Sequence, residues 1–189
     1  MAVNTKSDIQ VSSSYPMHPD IQIRSKFPDF ELPDHTGELY KLSQLVRGFP
    51  TALIFSRGWF CPKDRRQLQN YVDYLQPELR VNYCNMVTVS VDDKFTTMEV
   101  RDQLDANWTF LSDPERELLH DLQMVDTTDK HHGEIYIPYT FILDRDLTIY
   151  KIYNGWWFLG RPTVEEIRMD FRALMNQRQD WVYSEDQTY

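Results

Sequence analysis

The stretch Arg57-Gly58-Trp59-Phe60-Cys61-Pro62-Lys63-Asp64-Arg65-Arg66-Gln67-Leu68 holds the residues best suited to chemistry. A thiolate is the nucleophilic form of cysteine, and both the amino end of a helix and nearby cations favour it over the thiol. Cys61 follows an apolar run and precedes a helical pattern, and Arg57, Lys63, Arg65 and Arg66 surround it. A modestly lowered pKa is therefore expected, because Asp64 opposes the cations. The plainer alternative is a buried structural cysteine. Pro62 suits the first helical position, where its missing N–H costs nothing. Asp64 has two readings: a carboxylate that caps the free N–H groups of the first turn, or a proton shuttle for Cys61. His131-His132 are read as a solvated loop, and no spacing supports a metal site or a cofactor. Trp156-Trp157-Phe158 either pack into a core or dimer interface or wall an organic substrate.

These residues need a scaffold, and the apolar pattern supplies one. Thr51-Ala52-Leu53-Ile54-Phe55 reads as a strand covered on both faces. Pro62 to Leu75 reads as a helix with Leu68, Tyr71, Val72 and Leu75 on one side, and Met86 to Val91 as the next buried strand. Strand, crossover helix and parallel strand make one right-handed unit. Phe30 to Leu42 reads as a β-hairpin turning at Asp34-His35-Thr36-Gly37, followed by a helical turn over 43–48. Phe95 to Leu104 is a second helix, Trp108 to Phe110 an extended piece, and Ser112-Asp113-Pro114-Glu115 a helix start. Residues 125–137 read as a polar loop, Tyr139 to Leu143 and Thr148 to Tyr153 as strands. Thr163-Val164-Glu165-Glu166 is a capping box opening the last helix. The fold class is α/β: a central mixed sheet flanked by helices, with an N-terminal hairpin.

Composition bounds the function. At 189 residues the chain suits one domain, here 26–178, between an arm over 1–25 and a tail over 179–189. The net charge of −9 argues against nucleic acid as partner. No apolar run is long enough for a membrane span, and no signal peptide is read. Two cysteines make no disulfide framework, so a reduced, cytoplasmic setting is expected.

The chain resembles the alkyl hydroperoxide reductase/thiol-specific antioxidant family, the peroxiredoxins and related redoxins of the thioredoxin-like fold. The resemblance rests on Phe27-Pro28-Asp29-Phe30-Glu31-Leu32-Pro33-Asp34, Arg57-Gly58-Trp59-Phe60-Cys61-Pro62, Leu111-Ser112-Asp113-Pro114 and Pro138-Tyr139-Thr140-Phe141-Ile142-Leu143-Asp144. It implies that Cys61 is the attacking cysteine, acting on a peroxide or a disulfide. It also implies an external thiol or a thioredoxin- or glutaredoxin-type protein as reductant, and a homodimer. Where the family carries Thr or Ser three residues before the cysteine this chain has Gly58. Where the family carries an active-site Arg it has Pro138. Arg57 is expected to replace that Arg. By analogy with thioredoxins the Ile137-Pro138 bond is expected to be cis, and Asp64 stands where thioredoxins place a second cysteine. Gly58, Trp59, Phe60, Pro62, Trp156 and Trp157 are the candidate substrate contacts. Thiol transfer, or binding without catalysis, is the alternative. Cys84 enters its strand at the opposite sheet edge from Cys61, so no internal disulfide is expected and recycling runs through a mixed disulfide.

Overall fold

The computed structural model describes residues 16–79, 81, 83–156 and 160–177. In chain order the elements begin with the hairpin β1 (Glu31–Pro33) and β2 (Leu39–Lys41), then α1 (Leu42–Val46) and β3 (Thr51–Phe55). The crossover α2 (Pro62–Tyr74) and α3 (Gln76–Leu79) leads to β4 (Asn85–Ser90), and α4 (Lys94–Leu104) to β5 (Thr109–Ser112). Then come α5 (Glu117–Asp121), β6 (Val125–Asp126), β7 (Ile135–Tyr136), β8 (Tyr139–Leu143), β9 (Ile149–Asn154) and α6 (Val164–Asn176).

The central sheet has the order β5-β4-β3-β8-β9. β3, β4 and β5 run parallel, and β8 and β9 continue antiparallel. This is the mixed, helix-flanked thioredoxin-like sheet that the sequence leads one to expect. Strand side chains alternate between faces, so the unbroken apolar run of β3 serves two cores. Leu53 and Phe55 join Phe27, Val87, Val89, Tyr136 and Phe141 on one side. Ala52 and Ile54 join Leu68, Tyr71, Phe110 and Phe171 on the other, under α2 and α6. The register pairs Thr51 with Asn85 and Phe55 with Val89. Cys84 therefore lies at the amino end of β4 and Cys61 beyond the carboxyl end of β3. A strand of this length separates them by about 17 Å, and neither is in a disulfide.

Residues 16–25 lie against the domain: Ile21 is buried, the amide of His18 donates to the carbonyl of Leu122 at 2.8 Å, and that of Arg24 to the carbonyl of Ile149 at 2.8 Å. The capping box of α6 forms as its sequence dictates, with Thr163 and Glu166 bonding reciprocally.

Two expectations fail. The helix start at Ser112 is overridden, because 109–112 are taken as β5 against β4 and the Ser112 hydroxyl donates to the carbonyl of Asp92 at 2.5 Å. α5 opens instead at Glu117, after Arg116 in a left-handed conformation with φ 62°. Asp113 still serves the helix from outside, accepting the amide of Leu119 at 3.0 Å and the buried hydroxyl of Tyr136 at 2.5 Å. The stretch 125–137 is not all loop: β6 and β7 pair, Val125 with Tyr136 and Asp126 with Ile135.

Asp113 thus ties the 113–117 turn to β7. Asp113→Ala strands a buried hydroxyl and a buried amide, and is expected to lower the unfolding free energy by about 2–3 kcal/mol. Tyr136→Phe, which leaves the carboxylate its amide donor, is expected to cost less. Urea unfolding of the two variants checks the order.

Candidate functional site

β3 ends at Phe55, and the chain turns through 56–60 before α2 begins. Cys61 is the cap residue of α2, with φ −82° and ψ 109°, and Pro62 is the first helical residue. The amide of Cys61 donates to the carbonyl of Gly58 at 3.1 Å, and the amide of Arg65 to the carbonyl of Cys61 at 3.1 Å. The sulfur thus sits over the first turn of a thirteen-residue helix. The residue is only 3% exposed.

Beneath it lies a buried charge pair. Asp64 Oδ1 accepts Arg161 Nε at 2.6 Å, and Asp64 Oδ2 accepts the amide of Arg57 at 2.7 Å and the hydroxyl of Ser56 at 3.3 Å. Arg161 Nη1 donates to the carbonyl of Gly155 at 3.0 Å, and Nη2 lies 3.9 Å from Cys61 Sγ. One carboxylate therefore fixes the end of β3, the start of α2 and the cation at the sulfur. It does not cap the amides of the first turn, as the simpler expectation for Asp64 had it.

The thiol is held above its ordinary pKa, foremost by burial and then by the negative charge of Asp64. The amides of Asp64 and Lys63 and the guanidinium of Arg161 pull the other way without prevailing. The expected lowering is thus reversed. Sequence neighbours suggested a crowd of cations, but Lys63, Arg65 and Arg66 all lie on exposed positions of α2, where solvent screens them. Arg57, expected at the sulfur, has its guanidinium engaged elsewhere. Its guanidinium pairs with Asp126 at 3.2 Å and Asp129 at 3.3 Å, anchoring the 126–132 segment. In that segment the ring of His132 stacks on Phe60 at 3.5 Å and 4°, and Asp129 bonds His132 Nδ1 at 3.0 Å.

The turn itself is fixed by a side chain that sequence reading passed over. Asp92, just after β4, accepts the amide of Trp59 at 2.9 Å and the hydroxyl of Ser90 at 3.0 Å. Burial raises its pKa. Gly58 has φ +126°, and a Cβ there would meet Asp92 Oδ1 at 3.0 Å, so no larger residue fits the present turn without strain. Arg65 covers the other side of the Trp59 ring, its Cζ 3.9 Å from the centroid.

Pro138 lies at the site, but its peptide is trans, as are all those described. The chain runs on from β7 into β8: the amide of Ile137 donates to the carbonyl of Met124 and the carbonyl of Pro138 accepts the amide of Gly155 at 2.9 Å. Pro138, Arg57, Lys63, Gly155, Trp156 and Arg161 border a cavity of about 130 Å³. Trp156 is therefore at the site; Trp157 and Phe158 lie outside the described residues.

Arg161 lies 97 residues from its partner Asp64, so the pairing leaves no local pattern in the sequence. A signal existed in Gly160-Arg161-Pro162, placed directly before a helix cap. The carbonyl of Pro162 accepts the buried hydroxyl of Tyr71 at 2.7 Å, and a Cβ on Gly160 would overlap the carbonyl of Asn154 at 1.8 Å. The first contact holds this crossing against α2, and the second closes it on the end of β9.

Comparison with known proteins places this arrangement. The AhpC/TSA family model matches residues 23–152. No curated protein matches the chain. Among solved structures, peroxidoxin BcpB from Mycobacterium tuberculosis superposes with a TM-score of 0.68 at 19% identity, over 83% of this chain and 98% of that one. A mutant of peroxiredoxin 6 of Arenicola marina gives 0.69 at 20%, over 85% and 80%. Mycobacterium tuberculosis AhpC gives 0.67 at 19%, over 85% and 97%. At these identities the likeness is one of fold.

Alkylation of Cys61 by iodoacetamide, followed by mass spectrometry across pH, is expected to titrate above a free thiol. Arg161→Ala should move the midpoint further up, since a guanidinium that favours the thiolate is lost. It should also lower stability by about 3–5 kcal/mol, because Asp64 is left buried and unpaired. Arg57→Ala should leave the midpoint close to wild type.

Proposed function

We propose, from the premise that the chain belongs to the AhpC/TSA family and is a peroxiredoxin-like thiol oxidoreductase, that it reduces hydroperoxides through Cys61 in a one-cysteine cycle. The observation that carries this reading is the placement of Cys61 Sγ at the start of α2, 3.9 Å from Arg161 Nη2. The amides of Lys63 and Asp64 and the guanidinium favour the thiolate there, and the same donors suit an oxyanion that forms beside the sulfur. Cys61 loses its proton to solvent, and Sγ attacks the terminal oxygen of the hydroperoxide. An S–O bond forms, the O–O bond breaks, and the alkoxide takes up a proton and leaves as the alcohol. Sulfur is oxidised by two electrons to sulfenic acid. Cys84 stands at the far edge of the sheet, so an external thiol condenses with the sulfenic acid, water leaves, and a mixed disulfide remains. A second thiol, or a thioredoxin- or glutaredoxin-type protein, attacks that disulfide and restores Cys61. The two thiols, set apart in one fold, suit a reducing cytoplasm, and the resemblance to peroxiredoxins supports a homodimer.

A second reading, disulfide exchange rather than peroxide reduction, draws on Gly58. The hydroxyl that peroxiredoxins place three residues before the cysteine is absent, and the space beyond Gly58 belongs to Asp92.

Stopped-flow oxidation by hydrogen peroxide separates the two. Wild type is expected to form one dimedone-trappable sulfenic acid on Cys61, with Cys84 still a thiol, and Cys61→Ser to form none. A dominant Cys61–Cys84 cross-link would overturn the one-cysteine cycle. Inertness to peroxide combined with rapid exchange with a small disulfide would favour the second reading.

A further inference from the structure

Along α2, Lys63, Arg66, Gln67 and Asn70 stand three, four and seven residues apart, which places them on one face. Across from them are Arg161 and Pro162, and between them opens a groove of about 530 Å³. The chain as a whole is acidic, with 29 Asp and Glu against 20 Lys and Arg. Yet every charged residue that lines this groove is a cation, and none is acidic. Gln67 is held in place, its Nε2 donating to Tyr71 Oη at 2.9 Å. Arg161 gives most of its charge to Asp64. Arg66 is exposed and engages in no ion pair among the described residues, so its guanidinium is available to a ligand in bidentate geometry. Lys63 and Arg161 line both this groove and the smaller cavity beside Pro138 and Trp156, and Arg161 reaches the sulfur. The groove and the smaller cavity thus share two walls, and one of these, Arg161, touches the reacting centre.

Its size matters. Small-molecule sites run to about 300–1,000 Å³, and hydrogen peroxide, with two heavy atoms, needs a small fraction of that. The groove begins at Pro62, the residue after the reduced thiol, and is bordered by Arg161, which reaches the sulfur.

We propose that this groove binds the carboxylate of an anionic organic hydroperoxide, with Arg66 and Lys63 as its cationic contacts, and so selects the oxidant of Cys61. This rests on the peroxidase reading above. The anion is held along α2 while its hydroperoxy group reaches Sγ past Arg161. The terminal oxygen passes to sulfur, the O–O bond breaks, and the hydroxy acid departs with a proton from solvent. The long-range field of a protein at −9 disfavours anions, so selection depends on these few local cations and weakens as salt screens them.

The probes are the side-chain hydroperoxide of N-acetylvaline and its methyl ester, which differ by one charge. Sulfenic acid formation on Cys61 is followed in single turnovers by rapid quench with dimedone. The acid is expected to react about tenfold faster than the ester. Arg66→Glu should bring the ratio to one or below, and Arg66→Lys should restore most of it. A ratio near one in wild type, or an undiminished ratio in Arg66→Glu, would overturn the proposal. So would a loss confined to the later reduction by thiol, which would assign the groove to the reductant. Failure of the peroxidase reading is read separately, as inertness of Cys61 to hydrogen peroxide. In that event calorimetric binding of the unreactive hydroxy acid still decides the groove: saturable binding weakened by Arg66→Glu supports it, and no saturation overturns it.

Discussion

The site depends on one buried ion pair. Asp64 and Arg161 are separated by 97 residues in sequence, yet they meet at 2.6 Å under the sulfur. Taking two charges out of water is costly, and the pair holds only because further donors satisfy the remaining lone pairs. The amide of Arg57 and the hydroxyl of Ser56 donate to the carboxylate, and the carbonyl of Gly155 accepts from the guanidinium. The end of β3, the first turn of α2 and the crossing before α6 are therefore positioned by the same carboxylate. A neutral residue at either partner would leave the other as an uncompensated charge.

The pair also sets the chemistry in opposing ways. Arg161 favours the thiolate, and Asp64 both holds Arg161 in place and opposes the negative sulfur. With burial added, the resting state is a protected thiol. A thiol held in this way presents less thiolate in the free protein than an exposed cysteine does. A substrate that brings positive charge to the sulfur would raise that share, the direction in which binding energy is most useful to catalysis.

The scaffold was legible in the sequence because it rests on local patterns. The apolar run 51–55 announces a doubly covered strand, the helical period after Pro62 announces α2, and the capping box at Thr163 announces α6. Cys61 was legible for the same reason, standing where strand pattern gives way to helix pattern. Its electrostatic surroundings were not. Arg57, Lys63, Arg65 and Arg66 are near in sequence, but the last three stand at exposed positions of α2, and Asp126 and Asp129 claim the guanidinium of the first. The cation that matters comes from 100 residues away, and no local pattern reports such a distance. Asp92 escaped for the same cause, and so did the failed helix start at Ser112, where pairing with β4 outweighs a good local cap.

Gly58 and Asp92 have a consequence for how this site can change by mutation. The glycine has a backbone conformation closed to most side chains, and the carboxylate fills the space a side chain there would need. That carboxylate also holds the amide of Trp59. Restoring a hydroxyl at position 58 would require a smaller residue at 92, and shrinking residue 92 first would orphan that amide. Each step alone is unfavourable, and the two together still leave the positive φ at 58 and the amide of Trp59 to be accommodated. The two positions are therefore coupled, and the effect of a substitution at one depends on the residue at the other.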